Sequence, residues 1–309
     1  MDCIADLLEG VHLRSAVLYR GCWTAPWGAQ FAPQNYGADA CFHFVTEGRC
    51  TLTVNSRSVI LNRGDFTVLP HGPVHAIHDI ACTPTPPFER LNLVPDETGT
   101  VHHGGGGEQT TMICGKFFFE NRDTNPLFRA LPPVLLVRGE QGEAVPWLAP
   151  TLAFIACETE SERPGAQTVI SRLADILFIQ AVRVHLAELR DASAAGDGLL
   201  RALCDEEIGP VLQAVHRAPS EGWTVAGMAQ TAGMSRSAFA ARFTGLIGEP
   251  PLHYVGRFRC HVAANLLREN RLTTGEVARR VGYESEAAFC KAFKRWTGTG
   301  PGTFRRFRQ

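Results

Sequence analysis

Met228-Ala229-Gln230-Thr231-Ala232-Gly233-Met234-Ser235 and Val277-Ala278-Arg279-Arg280-Val281-Gly282-Tyr283-Glu284 are two copies of one pattern. Ala229 and Ala278 stand 49 residues apart, as do Gly233 and Gly282. Further on, Phe239 and Phe289, Phe243 and Phe293, Gly248 and Gly298, and Pro251 and Pro301 each stand 50 apart. Six matched positions, two at an offset of 49 and four at 50, mark an internal repeat. One residue has been added in the second copy, in its turn or at the start of the helix that follows.

Each copy predicts a helix, a tight turn and a second helix. Val225, Met228 and Ala229 fall at i, i+3 and i+4, one apolar face. Gly233 then supplies a residue tolerant of positive φ where the chain must turn. Ser235 is placed to cap a new helix, with Phe239 and Phe243 on its buried face. The second copy repeats this with Val277, Ala278 and Val281, then Gly282, Ser285, Phe289 and Phe293. Small residues at Ala229 and Ala278 let two short helices approach closely. The second helix of such a pair is the one that can lie in a DNA major groove. Between the copies, Pro251 to Leu267 opens with proline and keeps helical periodicity, which predicts a rigid linking helix. A rigid link suits a reader of successive major-groove faces about 34 Å apart.

These stretches, with Trp223-Thr224-Val225, Gly282 to Phe289, Phe293-Lys294-Arg295 and Gly300-Pro301-Gly302-Thr303-Phe304-Arg305, resemble the AraC/XylS family of bacterial transcription regulators over residues 205–308. The resemblance implies a seven-helix DNA-binding domain with two helix–turn–helix units. On the family pattern, base-edge positions fall at Arg236, Ser237 and Ala240 in the first unit. In the second they fall at Glu286, Ala287 and Lys291. Arg236 and Lys291 suit donation to guanine O6 and N7, and Glu286 suits acceptance from cytosine N4. Arg242, Lys294, Arg295 and Arg305 are expected at phosphates, which position a protein without reading sequence. The alternative for each cation is a solvated surface charge. Ala240 and Ala241 leave the first unit with few base-edge hydrogen bonds, so its share of recognition is expected to be weak or to rest on DNA shape.

The charge pattern agrees with a DNA-binding C-terminal part. The 309 residues carry 30 Lys+Arg and 31 Asp+Glu, yet residues 1–199 hold 14 basic and 22 acidic side chains, and residues 200–309 hold 16 and 9. An acidic first part joined to a basic last part hints at a polyanion-binding module. Length predicts two domains, and 20% charged with 45% hydrophobic residues excludes a disordered polyelectrolyte. No apolar run approaches the ~18 residues of a membrane-spanning helix. Met1 to Asp6 lacks the basic and apolar segments of a secretory signal, so a cytoplasmic protein is expected. Ten cysteines are then expected to be free thiols.

The first part predicts short strands at Phe42–Val45, Thr51–Val54, Ser58–Leu61 and Phe66–Leu69, separated by Asn, Gly and Arg-Gly-Asp turns. Gly64, Pro70, Gly72 and His75 fit G-x5-P-x-G-x2-H and resemble the second motif of the cupin barrel. The first cupin motif is poorly kept. No His-x-His precedes Gly48, and Cys41 stands where a metal-binding Glu would be expected. Cys41 and His43 share a strand face, and with His75 they form a candidate zinc or nickel site. The alternative is two buried, hydrogen-bonded imidazoles and a core thiol. His71 and His78 are expected in loops or at the surface. The Gly104–Gly107 run lacks the Gly-Lys-Ser/Thr ending of a nucleotide loop and leads into an apparent strand, Thr111–Phe119, so it reads as a flexible loop.

Together with Ala25-Pro26-Trp27-Gly28, Leu131-Pro132-Pro133 and Pro146-Trp147-Leu148, these features resemble AraC-type regulators whose first domain is cupin-like. The expectation is an α+β two-domain protein. Residues 1–190 form a cupin-like β-barrel sensor with flanking dimerisation helices, 191–200 a linker, and 201–309 an all-α domain with two helix–turn–helix motifs. The flanking helices are read from Trp147–Ile155 and Val169–Leu186, and the linker from Asp191–Gly198. The expected partners are double-stranded promoter DNA, RNA polymerase, a second copy of the chain and a small-molecule effector, with no membrane. Trp23, Trp27, Phe31, Tyr36 and Phe42 are candidate lining for an effector cavity. A second kind of signal is thiol oxidation, because Cys22 and Cys114 occupy positions like those used in oxidant-responsive regulators resembling this one. The competing reading is a metal-dependent cupin enzyme with an accessory DNA-binding domain, which requires a complete facial set of His and carboxylate ligands. No catalytic residue is assigned.

Overall fold

The computed structural model describes residues 13–32, 40–80, 83–119, 126–139, 148–159, 163–191, 198–269 and 271–306. Its contacts divide into two compact units. One takes Leu13–Phe119 and Leu131–His185; the other takes Leu186–Gln309 together with Glu120–Ala130. The linker expected at Asp191–Gly198 lies outside the described residues except at its ends, and Trp147 lies outside them entirely.

Among its described residues the β-rich unit contains ten strands: β1 (Leu13–Thr24), β2 (Gly28–Phe31), β3 (Ala40–Glu47), β4 (Arg49–Val54), β5 (Arg57–Asn62), β6 (Phe66–Leu69), β7 (His75–His78), β8 (Thr100–Gly104), β9 (Gln109–Phe119) and β10 (Leu135–Val137). Every strand predicted between Phe42 and Leu69 forms, and the strand after the glycine run begins two residues earlier than expected. The barrel does not close. Six strands make one sheet in the order β10-β6-β3-β9-β1-β8, and four make another in the order β2-β7-β4-β5. Closure fails because β5 and β10 each end a sheet with one neighbour only. Pairing partners are a tertiary property that alternation along one strand does not carry.

The six-stranded sheet uses both faces. Tyr19, Trp23, Cys41, Val45, Met112 and Cys114 point toward the four-stranded sheet and join its core. There Trp23 stacks on Trp27 at 4.9 Å. Phe42, Phe66 and Phe117 point the other way. Phe178 packs on Phe117 and Phe119 there, at 5.4 and 5.2 Å, which seats a long helix on the outer face of the sheet.

The helices, in chain order, are α1 (Pro126–Ala130), α2 (Leu148–Thr159), α3 (Ala166–Asp191), α4 (Leu199–Cys204), α5 (Ile208–Arg217), α6 (Val225–Thr231), α7 (Arg236–Ile247), α8 (Pro251–Arg268), α9 (Thr274–Arg280), α10 (Glu286–Thr297) and α11 (Pro301–Arg306). Phe178 belongs to α3. The short α1 groups with the helical unit rather than with the strands. Among the described residues of 205–308, where the resemblance implies seven helices, seven form, α5 through α11, and α4 stands just before them. None of the helices is long and apolar enough to cross a membrane.

Candidate nucleic-acid interface

The repeat folds as two matched helix pairs. In the first, Thr224 caps α6 by accepting from the Gly227 amide, and Gly233 takes φ +65° in the turn. Ser235 then caps α7 by accepting from the Ala238 amide. In the second, Thr273 and Glu276 form a reciprocal capping box on α9, Gly282 takes φ +84°, and Ser285 caps α10 by accepting from the Ala288 amide. From Gly233 to Ser235 is two residues and from Gly282 to Ser285 is three, so the added residue lies in the turn. Phe239 with Phe243, and Phe289 with Phe293, are fully buried with ring centroids 5.5 Å apart in each pair. Each buried stripe leaves the opposite face of α7 or α10 free.

Between the pairs, α8 runs 18 residues, about 27 Å at 1.5 Å per residue. It packs on α7 on one side and on α9, α10 and α11 on the other. Arg259 fastens it: its guanidinium donates to the Pro219 and Glu221 carbonyls at 2.7 Å and to the Gly282 carbonyl at 3.2 Å. One side chain thus ties the segment before the first pair to the turn of the second. Sequence reasoning missed this residue, since its partners lie 40, 38 and 23 positions away.

The expected DNA contacts divide into two groups. Arg236 and Ser237 are exposed at the start of α7, with Ala240 half-buried one turn on. Glu286, Ala287 and Lys291 are exposed along α10, followed by Lys294 and Arg295. No ion pair among the described residues engages Arg236, Lys291, Lys294 or Arg295. Arg242 and Arg305 are placed otherwise. Arg242 lies 2.8 Å from Asp205 and 2.7 Å from Glu207, an ion-pair brace within the helical unit. Arg305 donates to the Leu272 carbonyl at 2.6 Å, and its Nε is buried. Both guanidiniums have partners within the helical unit.

The β-rich unit holds a second candidate site. A cavity of about 60 Å³ is lined by Tyr19, Phe31, Cys41, His43, His75, Phe88 and Cys114, among others. His43 Nε2 lies 3.0 Å from His75 Nε2, and His43 Nδ1 lies 3.1 Å from Cys114 Sγ. The ligand atoms of Cys41, His43 and His75 all lie within 4.8 Å of one another, as their shared face predicts. Burial lowers both imidazoles, and the neighbouring His75 adds to the effect on His43, so both rings are neutral. Burial pushes the Cys41 thiol up to about 12 and raises the Cys114 thiol as well.

Of the aromatic residues expected to line an effector cavity, Phe31 lines this one. Trp23 and Trp27 fill the core, Phe42 faces the outer side of the sheet, and Tyr36 lies outside the described residues. The two candidate redox-sensor thiols, Cys22 and Cys114, are both free and stand apart on the sheet. Cys114 stands opposite Tyr19, whereas Cys22 stands opposite Thr111. Trp23 points inward, so strand alternation turns Cys22 to the other face. His78 is buried rather than superficial, with Nδ1 2.6 Å from the Asp79 carbonyl. His71 is half-buried and donates from Nε2 to the Leu131 carbonyl at 2.9 Å.

A strand-built unit with an internal cavity, followed by a unit presenting two capped helices, defines a class: regulators that bind DNA. Comparison with known proteins agrees. A family model described as "Cupin" matches residues 2–187, and one described as "Helix-turn-helix domain" matches residues 228–306. A Streptomyces lividans protein named as an AraC-like transcription regulator is 32% identical over 99% of this chain and 98% of its own. The transcriptional regulator AlkR of Acinetobacter baylyi is 30% identical over 99% of both chains. The Escherichia coli activator RclR, named as RCS-specific, is 28% identical over 85% of this chain and 83% of its own. The DNA-binding domain of AdpA, solved in complex with a target DNA, is 31% identical over 32% of this chain and 98% of that one, with a TM-score of 0.30. The chain belongs to the AraC-type transcriptional regulators with an N-terminal cupin domain, sequence-specific DNA-binding proteins that control transcription.

Proposed function

We propose that the two helix pairs act as two helix–turn–helix units, with α7 and α10 entering successive major-groove segments of a promoter. One observation carries this reading: both second helices are Ser-capped, each buries its own Phe pair, and both pack on a common helix, α8. Arg236 and Ser237 read in the first segment, and Glu286, Ala287 and Lys291 in the second. Lys294 and Arg295 meet phosphates. The apolar residues Val169 and Ile176, exposed on α3, support a homodimer through this helix. A dimer places four reading heads on two half-sites, recruits RNA polymerase as an activator in the cytoplasm, and catalyses no reaction. Purified chain on a cognate duplex tests the binding mode. Affinity is expected to fall steeply with salt, with a log–log slope of about −0.9 per contacted phosphate. A flat salt response contradicts it.

The β-rich unit is the sensor in this reading, and a small effector is favoured over thiol oxidation. Cys22 and Cys114 face opposite sides of a sheet, and burial raises the Cys114 thiol, the reverse of what a reactive thiolate requires. The open seam between β5 and β10 holds a cavity of about 680 Å³, within the usual range for small-molecule sites. Leu52, Val54, Val59, Val134 and Leu136 form its apolar wall, and Arg57 and Ser58 stand among its polar groups. This supports an effector with an apolar body and an anionic group. The probe 1-anilinonaphthalene-8-sulfonate, an apolar anion, is expected to fluoresce on binding the wild type and to lose that signal with Val59→Trp. Equal fluorescence from both proteins contradicts the seam as the site.

A further inference from the structure

We infer that Cys41, His43 and His75 form a binding site for a thiophilic divalent ion, zinc foremost, with Cys114 as the residue that orients His43. Among the described residues, Cys41, His43 and His75 bring three metal-ligating atoms within 4.8 Å of one another, and these donors fit an ion of a particular kind. The chemistry begins with the two imidazoles. His75 Nδ1 lies 2.9 Å from the Pro73 carbonyl, which has only lone pairs to offer, so Nδ1 carries the proton and Nε2 presents a lone pair. His43 Nε2 faces that lone pair at 3.0 Å and therefore holds the proton between them. His43 Nδ1 is then the acceptor for the Cys114 thiol at 3.1 Å. The result is a chain from Cys114 through His43 and His75 to a backbone carbonyl, with one proton held between two facing nitrogens.

Such a proton occupies the place of a metal ion. Bonds of about 2.0–2.3 Å to nitrogen and sulfur put tetrahedral zinc donors roughly 3.3–3.6 Å apart. The two Nε2 atoms already meet that spacing closely, and Cys41 Sγ lies no more than 4.8 Å from either chosen nitrogen. Small side-chain rotations close the set, in a cavity of about 60 Å³ that leaves room for a fourth ligand. One thiolate and two neutral imidazoles, with no carboxylate in the group, match zinc and oppose magnesium, calcium and manganese, which favour oxygen donors. Nickel takes the same donor types but favours planar or octahedral surroundings, which makes it the weaker match.

The proton balance is simple. Cys41 gives up its thiol proton to solvent and coordinates as thiolate. His43 changes tautomer: its Nε2 proton is replaced by the ion and Nδ1 gains one, so that Nδ1–H then donates to Cys114 Sγ. His75 keeps its Nδ1 proton on Pro73. One proton leaves per ion bound, and no oxidation state changes. A histidine ligand whose other nitrogen is held by a hydrogen bond is the usual arrangement in such sites, and loss of that partner typically weakens binding 10–100-fold.

Titrating the reduced full-length protein with cobalt(II), a spectroscopic stand-in for zinc, tests the proposal. The expected result is one ion per chain, a thiolate-to-cobalt charge-transfer band, intense visible bands of four-coordination, and displacement by one equivalent of zinc. Cys41→Ser is expected to abolish the charge-transfer band, and Cys114→Ser to keep the band with about 10–100-fold weaker affinity. Cys22→Ser is expected to leave both unchanged. Wild-type protein showing no stoichiometric cobalt, or a charge-transfer band that survives Cys41→Ser, overturns the assignment. The wild-type titration decides the matter even if a variant fails to fold. The readout is independent of DNA binding, so failure here leaves the regulatory reading standing.

Discussion

At the scale of single residues, Lys291 and Arg242 differ in what surrounds them. Lys291 is exposed on α10 without an ion-pair partner among the described residues, whereas Arg242 lies against Asp205 and Glu207. Lys291→Ala is expected to relax preference at one base pair at a cost of about 1–3 kcal/mol, measured by competition with single-base variants of a bound site. Equal weakening on every sequence would reassign Lys291 to a phosphate. Arg242→Ala is expected to leave the salt slope of DNA binding unchanged and to lower stability by up to about 1 kcal/mol, because Arg242 and Glu207 are exposed and only Asp205 is largely covered. A reduced slope would return Arg242 to the DNA. The exposed faces of α7 and α10 were legible in the repeat, because the caps and the Phe pairs fix which face of each helix is buried, whereas Arg236, Glu286 and Lys291 were singled out only by the family pattern. The commitments of Arg242, Arg259 and Arg305 were not, because their partners lie 23 to 40 positions away. The face of Cys22 was legible in principle, since an apolar Trp23 in a strand turns its neighbour outward.

The helix pairs carry their register in the turns and caps. Gly233 and Gly282 both take positive φ, but a Cβ at Gly233 meets nothing within 4 Å, whereas one at Gly282 would lie 2.6 Å from the Ser220 carbonyl oxygen. Gly233→Ala is therefore expected to cost about 1–2 kcal/mol from backbone strain alone, and Gly282→Ala distinctly more, in denaturant unfolding. Equal costs would show that the close approach of Ser220 is not maintained. The helical unit also contains a buried imidazole pair. His216 bonds the Tyr254 hydroxyl at 2.6 Å and stacks on Phe258. Burial, then His261, lowers His216 to about 3, and burial, then Arg268 and Arg257, lowers His261 to about 4. In the unfolded chain both titrate near 6.5, so the unfolded state takes up protons first as pH falls. Stability is full above about pH 6.5 and declines toward pH 4, by about 1.4 kcal/mol per pH unit for each imidazole. The melting temperature of the helical unit is expected to drop between about pH 7 and pH 5, and His216→Phe to remove part of that drop. A melting temperature independent of pH over this range would contradict the burial of these rings. The helix–turn–helix periodicity was legible because local signals set it; the pairing of His216 with Tyr254 across 38 positions was not.

For the whole molecule, the sequence located β3 to β6 and β9 but not β1, β2, β7, β8 or β10, and it did not give their assembly. Short alternating runs bounded by turn residues locate β3 to β6, but nothing local says that β1 lies parallel to β8, or that β5 and β10 remain edges. Strand pairing is decided by what each face buries against distant neighbours. The charge contrast between the acidic first 199 residues and the basic remainder fits DNA binding by the second part of the chain. Selection of bound duplexes from a random pool by the full-length chain tests the two-headed reading most directly. The expected outcome is an enriched site with two blocks whose centres lie about 10–10.5 base pairs apart, one helical turn, with Lys291→Ala losing preference in one block only. A single enriched block, or no enrichment over random sequence, would contradict two helix pairs reading neighbouring turns of DNA.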